Sequence, residues 1–135
     1  MMKQVANEEM IRNAVGDEEV ERMLVPPFTT ASNTHPLWPL VQAALRDVYD
    51  PEIPVNIYEL GLLYKIEIEP VTNNVHIDMT LTSPGCPVAG EMPGMVERAV
   101  QSVNDIGDVK VELVWDPTWD PSKMAETAKL QLNMF

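Results

Sequence analysis

The single cysteine of the chain, Cys86, lies in the stretch Thr80-Leu81-Thr82-Ser83-Pro84-Gly85-Cys86-Pro87. The residues before it alternate between apolar and polar, which predicts a strand that ends near Thr82. Apolar residues at helical spacing follow Pro87, so a helix is predicted to begin there. A cysteine at a helix N-terminus faces unpaired amide groups and the positive end of the helix dipole, which favour the thiolate. Cys86 is therefore a candidate metal ligand or nucleophile, and the alternative is a small buried apolar residue in a turn.

The surroundings of the thiol limit its chemistry. Pro84 and Gly85 shape the loop so that backbone rather than bulky side chains surrounds the sulfur. A cysteine enzyme usually needs a base within hydrogen-bond reach, most often histidine. His76 lies roughly 20 Å from the strand end along an extended chain, and His35 is interpreted as a residue at the start of a helix. A thiol-dependent enzyme is therefore the weakest alternative.

A metal site built on Cys86 needs further ligands. Iron–sulfur clusters commonly take four protein ligands, and this chain offers one thiolate. The others must come from a second copy, a partner, a small thiol, or oxygen and nitrogen ligands such as Asp50, Glu52 or His35. A site of this kind is labile, which suits a carrier. Asp50 and Glu52 are held in a loop with two prolines, although turn capping explains Asp50 equally well.

Composition excludes several classes of function. The chain of 135 residues carries a net charge of −12, which opposes binding to nucleic acid or to anionic lipid. Its 45% of apolar residues support a folded core, but no run approaches the roughly 18 residues that span a bilayer. The acidic N-terminal stretch lacks a signal-peptide pattern. One cysteine cannot form an intramolecular disulfide, so the sequence predicts an acidic cytoplasmic protein without a role at nucleic acids or membranes.

Residues 1–35 are interpreted as an N-terminal extension, partly helical and ending in a linker over residues 26–34, and residues 36–135 as the domain proper. The domain pattern predicts the order helix, strand, strand, helix, strand, helix. This order indicates an α+β fold, a two-layer sandwich with a small mixed three-stranded sheet and helices on one face. The other sheet face is left to solvent or to a partner, and its polar residues are His76, Asp78, Thr80, Lys65, Glu67, Lys110 and Glu112.

Local patterns fix some details of these elements. Residues 62–69 alternate, which places Leu62 with the apolar face and Leu63 on the opposite face. Asn56 and Glu59 match a capping box, and Gly61 is available as the stop of that turn. Either Asp120 or Ser122 is a candidate cap for a final helix with Met124, Ala128 and Leu132 directed inward.

Three motifs in order resemble the SufT/PaaD-type family of auxiliary iron–sulfur assembly proteins over about residues 37–134. They are Asp50-Pro51-Glu52-Ile53-Pro54-Val55-Asn56-Ile57-Tyr58-Glu59-Leu60-Gly61-Leu62-Leu63-Tyr64, then the Cys86 stretch, then Val111-Glu112-Leu113-Val114-Trp115-Asp116-Pro117-Thr118-Trp119. The chain lacks the C-terminal cysteine cluster of PaaD-type members, which favours the SufT branch.

The resemblance implies a small α/β fold and a role in maturing iron–sulfur proteins, with Cys86 as the reactive cysteine. It also places Asp50 and Glu52 in the family's acidic loop, and Thr80 and Thr82 at its Thr-x-Thr strand end. The resulting hypothesis is a non-enzymatic factor of the SUF system that transiently binds or transfers iron or a cluster through Cys86. Its expected partners are SUF scaffold proteins and apo iron–sulfur clients, with a homodimer allowed by the ligand count. A metal-free adaptor between scaffold and client is the main alternative.

Overall fold

A computed structural model describes residue 20 and residues 22–82 and 90–132 of the chain. A short helical turn at residues 22–23 precedes the named elements. These are β1 (Thr30–Ala31), α1 (Trp38–Leu45), β2 (Leu63–Ile68), β3 (Val75–Met79), α2 (Met92–Gln101), β4 (Val109–Leu113), a 3₁₀ helix (Pro121–Lys123) and α3 (Glu126–Gln131).

The four strands form one mixed sheet in the order β1-β2-β3-β4. The central pair is antiparallel, with Ile66 opposite Ile77, and each outer strand runs parallel to its neighbour. In the β3–β4 pair, Asp78 lies opposite Glu112. The predicted α+β class is confirmed.

The sheet has one strand more than predicted. Thr30 and Ala31 pair with β2, and the backbone N–H of Ser32 donates to the Ile66 carbonyl at 2.9 Å. The Thr29 hydroxyl also donates to the Leu63 carbonyl at 2.7 Å. Two residues are too few to show a strand's alternation, so this part of the chain was interpreted as a linker. The proposed domain boundary at residue 35 stays a prediction.

One apolar core fills the space between the sheet and the helices. Ile66 and Ile77 from the sheet pack with Val41 of α1, Val96 of α2 and Ala128 of α3, and all five side chains are fully buried. Helix α2 contacts both β4 and α1. Helices therefore cover one face of the sheet, as predicted. In the described part of the chain, no helix has the length and apolar character needed to cross a membrane.

The prediction that Leu63 points away from the core was wrong. Its side chain is fully buried, because the pairing of β2 with β3 shifts between Leu63 and Lys65. An extra residue at such an irregularity breaks the strict alternation of a strand. In α1, Trp38, Val41 and Leu45 are buried, whereas Leu40 is 53% exposed.

The final helix is broken into two pieces. Asp120 caps the 3₁₀ helix by accepting from the backbone N–H of Ser122 at 2.8 Å. Met124 and Ala125 are then extended, and α3 begins at Glu126. Met124 and Ala128 are buried as predicted, and Leu132 packs against the core while remaining partly exposed.

Glu59 is a carboxylate buried to 1% exposure, where three parts of the chain meet. Its Oε2 accepts from Arg46 Nε at 3.1 Å and from Asn56 Nδ2 at 2.7 Å. Its Oε1 accepts from the Thr127 hydroxyl. The predicted capping box is half present, because Asn56 Oδ1 accepts from the Glu59 backbone N–H at 2.8 Å but the Glu59 carboxylate binds the Asn56 side chain. This network joins α1, the turn at residues 56–61 and α3.

Gly61 ends the turn that holds Glu59, as predicted. Its φ of +78° lies in the left-handed region that favours glycine. A Cβ at this position would lie 2.0 Å from the carbonyl oxygen of Lys123. The backbone of the turn therefore packs directly against the backbone of the 3₁₀ helix.

Candidate functional site

The loop at residues 114–120, between β4 and the 3₁₀ helix, is held to the turn at residues 56–61 and to β2 by two aromatic side chains. The Trp119 indole N–H donates to the Leu60 carbonyl at 2.8 Å. The Tyr64 hydroxyl, from β2, donates to the Pro117 carbonyl at 2.7 Å. These bonds fix the loop beside the end of β3, a position that sequence patterns could not supply.

The anchored loop and the end of β3 enclose a cavity of about 190 Å³. Its lining residues are Thr80, Leu81, Thr82, Trp115, Thr118 and Trp119. Thr80 is 1% exposed and its backbone N–H donates to the Leu62 carbonyl at 2.7 Å, whereas Thr82 is half-buried. The two predicted threonines thus share one cavity wall. We call this cavity, with its six lining residues, the threonine–tryptophan cavity.

The cavity combines a wall of aromatic rings with a few hydroxyl groups. Such a combination suits a small apolar or aromatic group of a partner, oriented by one or two hydrogen bonds. Burial raises the pKa of the neighbouring Tyr64 phenol, and the negative charge of Asp120 adds to this increase. A hydrogen bond with Thr80 acts in the opposite direction on the same pKa. Tyr64 is therefore a neutral hydroxyl at physiological pH.

Cys86 and Gly85 lie outside the described residues, so their assignment to the site stays a prediction. Cys86 follows Thr82 by four positions in the sequence. Thr82 is the last described residue before residues 83–89. Thr80, Leu81 and Thr82 therefore contribute to the threonine–tryptophan cavity and are also the last described residues before Cys86.

The acidic loop is explained by local hydrogen bonding. Asp50 is 8% exposed, and its Oδ1 accepts from the backbone N–H groups of Glu52 and Ile53, both at 2.8 Å. This is the turn capping that the sequence left open for Asp50. Glu52 is exposed. Among described residues, the hydrogen bonds of Asp50 and Glu52 do not reach the threonine–tryptophan cavity, and a supporting role for either stays a prediction.

The two histidines have different surroundings. His35 Nδ1 accepts from the backbone N–H of Leu37 at 3.0 Å, just before α1 begins, as expected for a residue at the start of a helix. His76 lies on the open face of the sheet between Asp78 and Glu112. Neither observation supplies a base for a thiol-dependent enzyme.

Sequence reasoning did not assign Trp115, Thr118 or Trp119 to the site, although they belong to a motif that carried the family resemblance. Trp115, two residues after the end of β4, is a large aromatic side chain that is 46% exposed. The available signal was an Asp-Pro-Thr-Trp-Asp-Pro stretch directly after a strand. Loops positioned by a rigid scaffold carry binding residues more often than the elements that they connect.

Asp120, at the end of this loop, should make stability depend on pH. Hydrogen bonds from the Ser122 side chain and backbone, and then the bond from Lys123, hold the pKa of the Asp120 carboxyl below its ordinary value. A lowered folded-state pKa stabilises the protein above the unfolded pKa of about 4, and this contribution is lost as pH falls through the lowered value. We therefore expect the stability difference between wild type and Asp120→Asn to be largest near neutral pH and to shrink below about pH 4. Urea unfolding at a series of pH values measures this difference, and a constant difference would contradict the assignment.

The family model described as "Iron-sulfur cluster assembly protein" matches residues 40–113. The chain is 44% identical over 89 residues to an Fe-S protein maturation auxiliary factor of Porphyromonas gingivalis, covering 66% of this chain and 84% of the relative. It is 36% identical over 87 residues to the Fe-S protein maturation auxiliary factor SufT of Staphylococcus aureus, covering 64% of this chain and 98% of that relative.

A solved structure gives the same result for the fold. The crystal structure of a domain of unknown function, DUF59, from Bacillus anthracis aligns with a TM-score of 0.65 at 36% identity, covering 72% of this chain and 92% of that one. The family model spans β2, β3, α2 and β4, together with most of α1 and the cysteine stretch. From these matches, the chain belongs to the iron–sulfur cluster assembly protein family and is a relative of SufT.

Proposed function

We propose that this protein is a maturation factor for iron–sulfur proteins of the SUF type, which transiently holds or transfers iron or a cluster through Cys86. The observation that carries the proposal is family membership over a range that contains the cysteine, with relatives named as Fe-S protein maturation auxiliary factors. The protein has no catalytic role in this proposal. In this proposal the protein acts in the cytoplasm.

In this proposal the cluster or iron is cargo rather than a resident cofactor. A single thiolate leaves coordination positions to a second copy or to a partner, so the bound state is short-lived and exchangeable. The partners are SUF scaffold proteins, which supply the cargo, and apo iron–sulfur proteins, which receive it. The threonine–tryptophan cavity is the surface that we assign to the contact with these proteins, because exposed tryptophan is enriched where protein partners bind.

Anaerobic reconstitution with iron and sulfide tests the carrier role. We expect wild type to gain visible cluster absorption and bound iron, together with a mass that reports whether two chains share the cluster. Cys86→Ser should lose at least about nine-tenths of this iron, because a neutral hydroxyl is a poor replacement for a thiolate ligand. Equal iron uptake by both proteins would remove Cys86 from the proposal.

A second assay separates the carrier from the metal-free adaptor. Cells that lack the endogenous factor are supplied with wild type or Cys86→Ser, and the activity of an iron–sulfur enzyme is measured. The carrier predicts that the Ser variant fails to restore that activity. Full restoration would support an adaptor that brings scaffold and client together without binding metal.

A further inference from the structure

A group of three side chains on the open face of the sheet has the composition of a metal site. His76 and Asp78 project from β3, two residues apart and therefore on the same face. Glu112 projects from β4 directly opposite Asp78. Among the described residues, this is the one group of three or more histidine, cysteine, aspartate or glutamate side chains whose ligand atoms all lie within 4.8 Å of one another.

The distances between these ligand atoms fit a shared metal ion better than direct hydrogen bonds. His76 Nε2 lies 3.5 Å from Asp78 Oδ1 and 3.4 Å from Glu112 Oε1. Ligand atoms about 2.0–2.1 Å from a tetrahedral ion are about 3.3–3.4 Å apart. Both distances from the histidine nitrogen therefore match the edge of such a tetrahedron. A small rotation of either partly exposed carboxylate would adjust the remaining distance, between the oxygens of Asp78 and Glu112.

The contacts of His76 Nε2 with its two carboxylate neighbours are too long or poorly aligned to count as hydrogen bonds. Although the His76 side chain is 37% exposed, Nε2 itself is shielded from solvent, and within the described residues it makes no hydrogen bond. A shielded polar atom whose nearest partners lie at 3.4–3.5 Å has exchanged water for long, weak contacts, which is costly. A cation bound between the nitrogen and the two carboxylates would satisfy all three groups.

We propose that His76, Asp78 and Glu112 bind one divalent first-row transition-metal ion on the open sheet face. One imidazole with two carboxylates suits ions of the Zn²⁺ and Fe²⁺ class, whereas Mg²⁺ and Ca²⁺ prefer oxygen alone and Cu⁺ prefers sulfur. Three protein ligands leave a position for water or for a ligand from a partner. This site uses neither Cys86 nor the threonine–tryptophan cavity, and it stands independently of the proposed function.

Lys110 competes with the ion for one of these ligands. Its Nζ lies 2.9 Å from Glu112 Oε1, and its side chain is 73% exposed. The lysine can therefore swing into solvent when an ion binds, but its charge opposes the ion. Replacing Lys110 should consequently strengthen metal binding. A folding defect would weaken binding, so it could not produce this result.

The test uses the full-length, tag-free chain carrying Cys86→Ser, so that no thiolate contributes, and Co²⁺ alone as the probe. We expect one Co²⁺ per chain, with visible absorption typical of nitrogen and oxygen ligands. His76→Gln and Glu112→Gln should each weaken binding by about tenfold or more. Lys110→Gln should tighten it by about fivefold. Glu97→Gln, which alters an exposed carboxylate on α2, is the matched control and should leave the affinity unchanged.

Several outcomes would overturn the site. Absence of Co²⁺ binding would show that the group of His76, Asp78 and Glu112 does not hold a metal ion. Unchanged affinity in His76→Gln or Glu112→Gln would place the ion elsewhere. Unchanged or weaker binding in Lys110→Gln would remove Glu112 from the ligand set. Circular dichroism of each variant establishes that these exposed substitutions leave the fold intact.

Discussion

Replacing Glu59 by alanine should destabilise the protein by about 3–5 kcal/mol, because removal of one member of a buried charged network leaves the others without their partner. Arg46, Asn56 and Thr127 all donate to this carboxylate. The variant therefore loses the hydrogen bonds that join α1, the turn at residues 56–61 and α3. Urea unfolding followed by circular dichroism measures the change in the free energy of unfolding.

Two further variants show whether the network causes this effect. Glu59→Gln keeps the volume and two polar atoms, so it should cost less than the alanine variant. Glu97→Gln removes an exposed carboxylate on α2 and should change stability by no more than about 0.5 kcal/mol. If Glu59→Ala were as stable as Glu97→Gln, the buried network would contribute nothing to folding.

Replacing Gly61 by alanine should cost about 3–5 kcal/mol through two additive causes. A side chain at a φ of +78° costs about 1–2 kcal/mol. The added Cβ would also lie 2.0 Å from the Lys123 carbonyl oxygen, which forces the turn and the 3₁₀ helix apart. Lys123 is itself buried and tied to Asp120, so its backbone has little freedom to move away.

Gly94→Ala is the matched control for this prediction. Gly94 lies in α2, where the nearest atom to an added Cβ is Arg98 Nη1 at 3.3 Å, the end of a flexible side chain. Alanine is favoured over glycine in a helix by about 0.5–1 kcal/mol, so this variant should be as stable as wild type or more stable. Thermal unfolding of both variants compares them, and equal stability would contradict the close approach at Gly61.

Elements with a regular hydrophobic period were predictable from sequence. The alternation of β2, β3 and β4 and the helical spacing in α2 follow from burial of one face and can be seen in the sequence. The start of α2 was predicted less well, since it begins at Met92 after a turn at residues 90–91 and not directly after Pro87. The departures occur where that period fails. Strand β1 has two residues, and the irregular pairing after Leu63 moves one side chain from one face to the other.

Around the candidate site, contacts between residues close in sequence could be predicted, whereas contacts between distant residues could not. Asp50 caps its own turn through the next residues, and a sequence pattern can reveal such a contact. The threonine–tryptophan cavity depends on a bond between Trp119 and Leu60, which are 59 positions apart. No periodicity carries this information, because it arises from the packing of the whole domain.

The short pairing of β1 with β2 also determines how the sheet can associate with other chains. An exposed sheet edge offers unpaired backbone groups to any other strand, and proteins protect edges with very short strands or with charged residues. Here one edge is the two-residue β1, and the other is β4, which carries Lys110 and Glu112. Both edges therefore resist extension by a further strand. We therefore expect a pair of these chains to meet through side-chain surfaces rather than through a continuous intermolecular sheet.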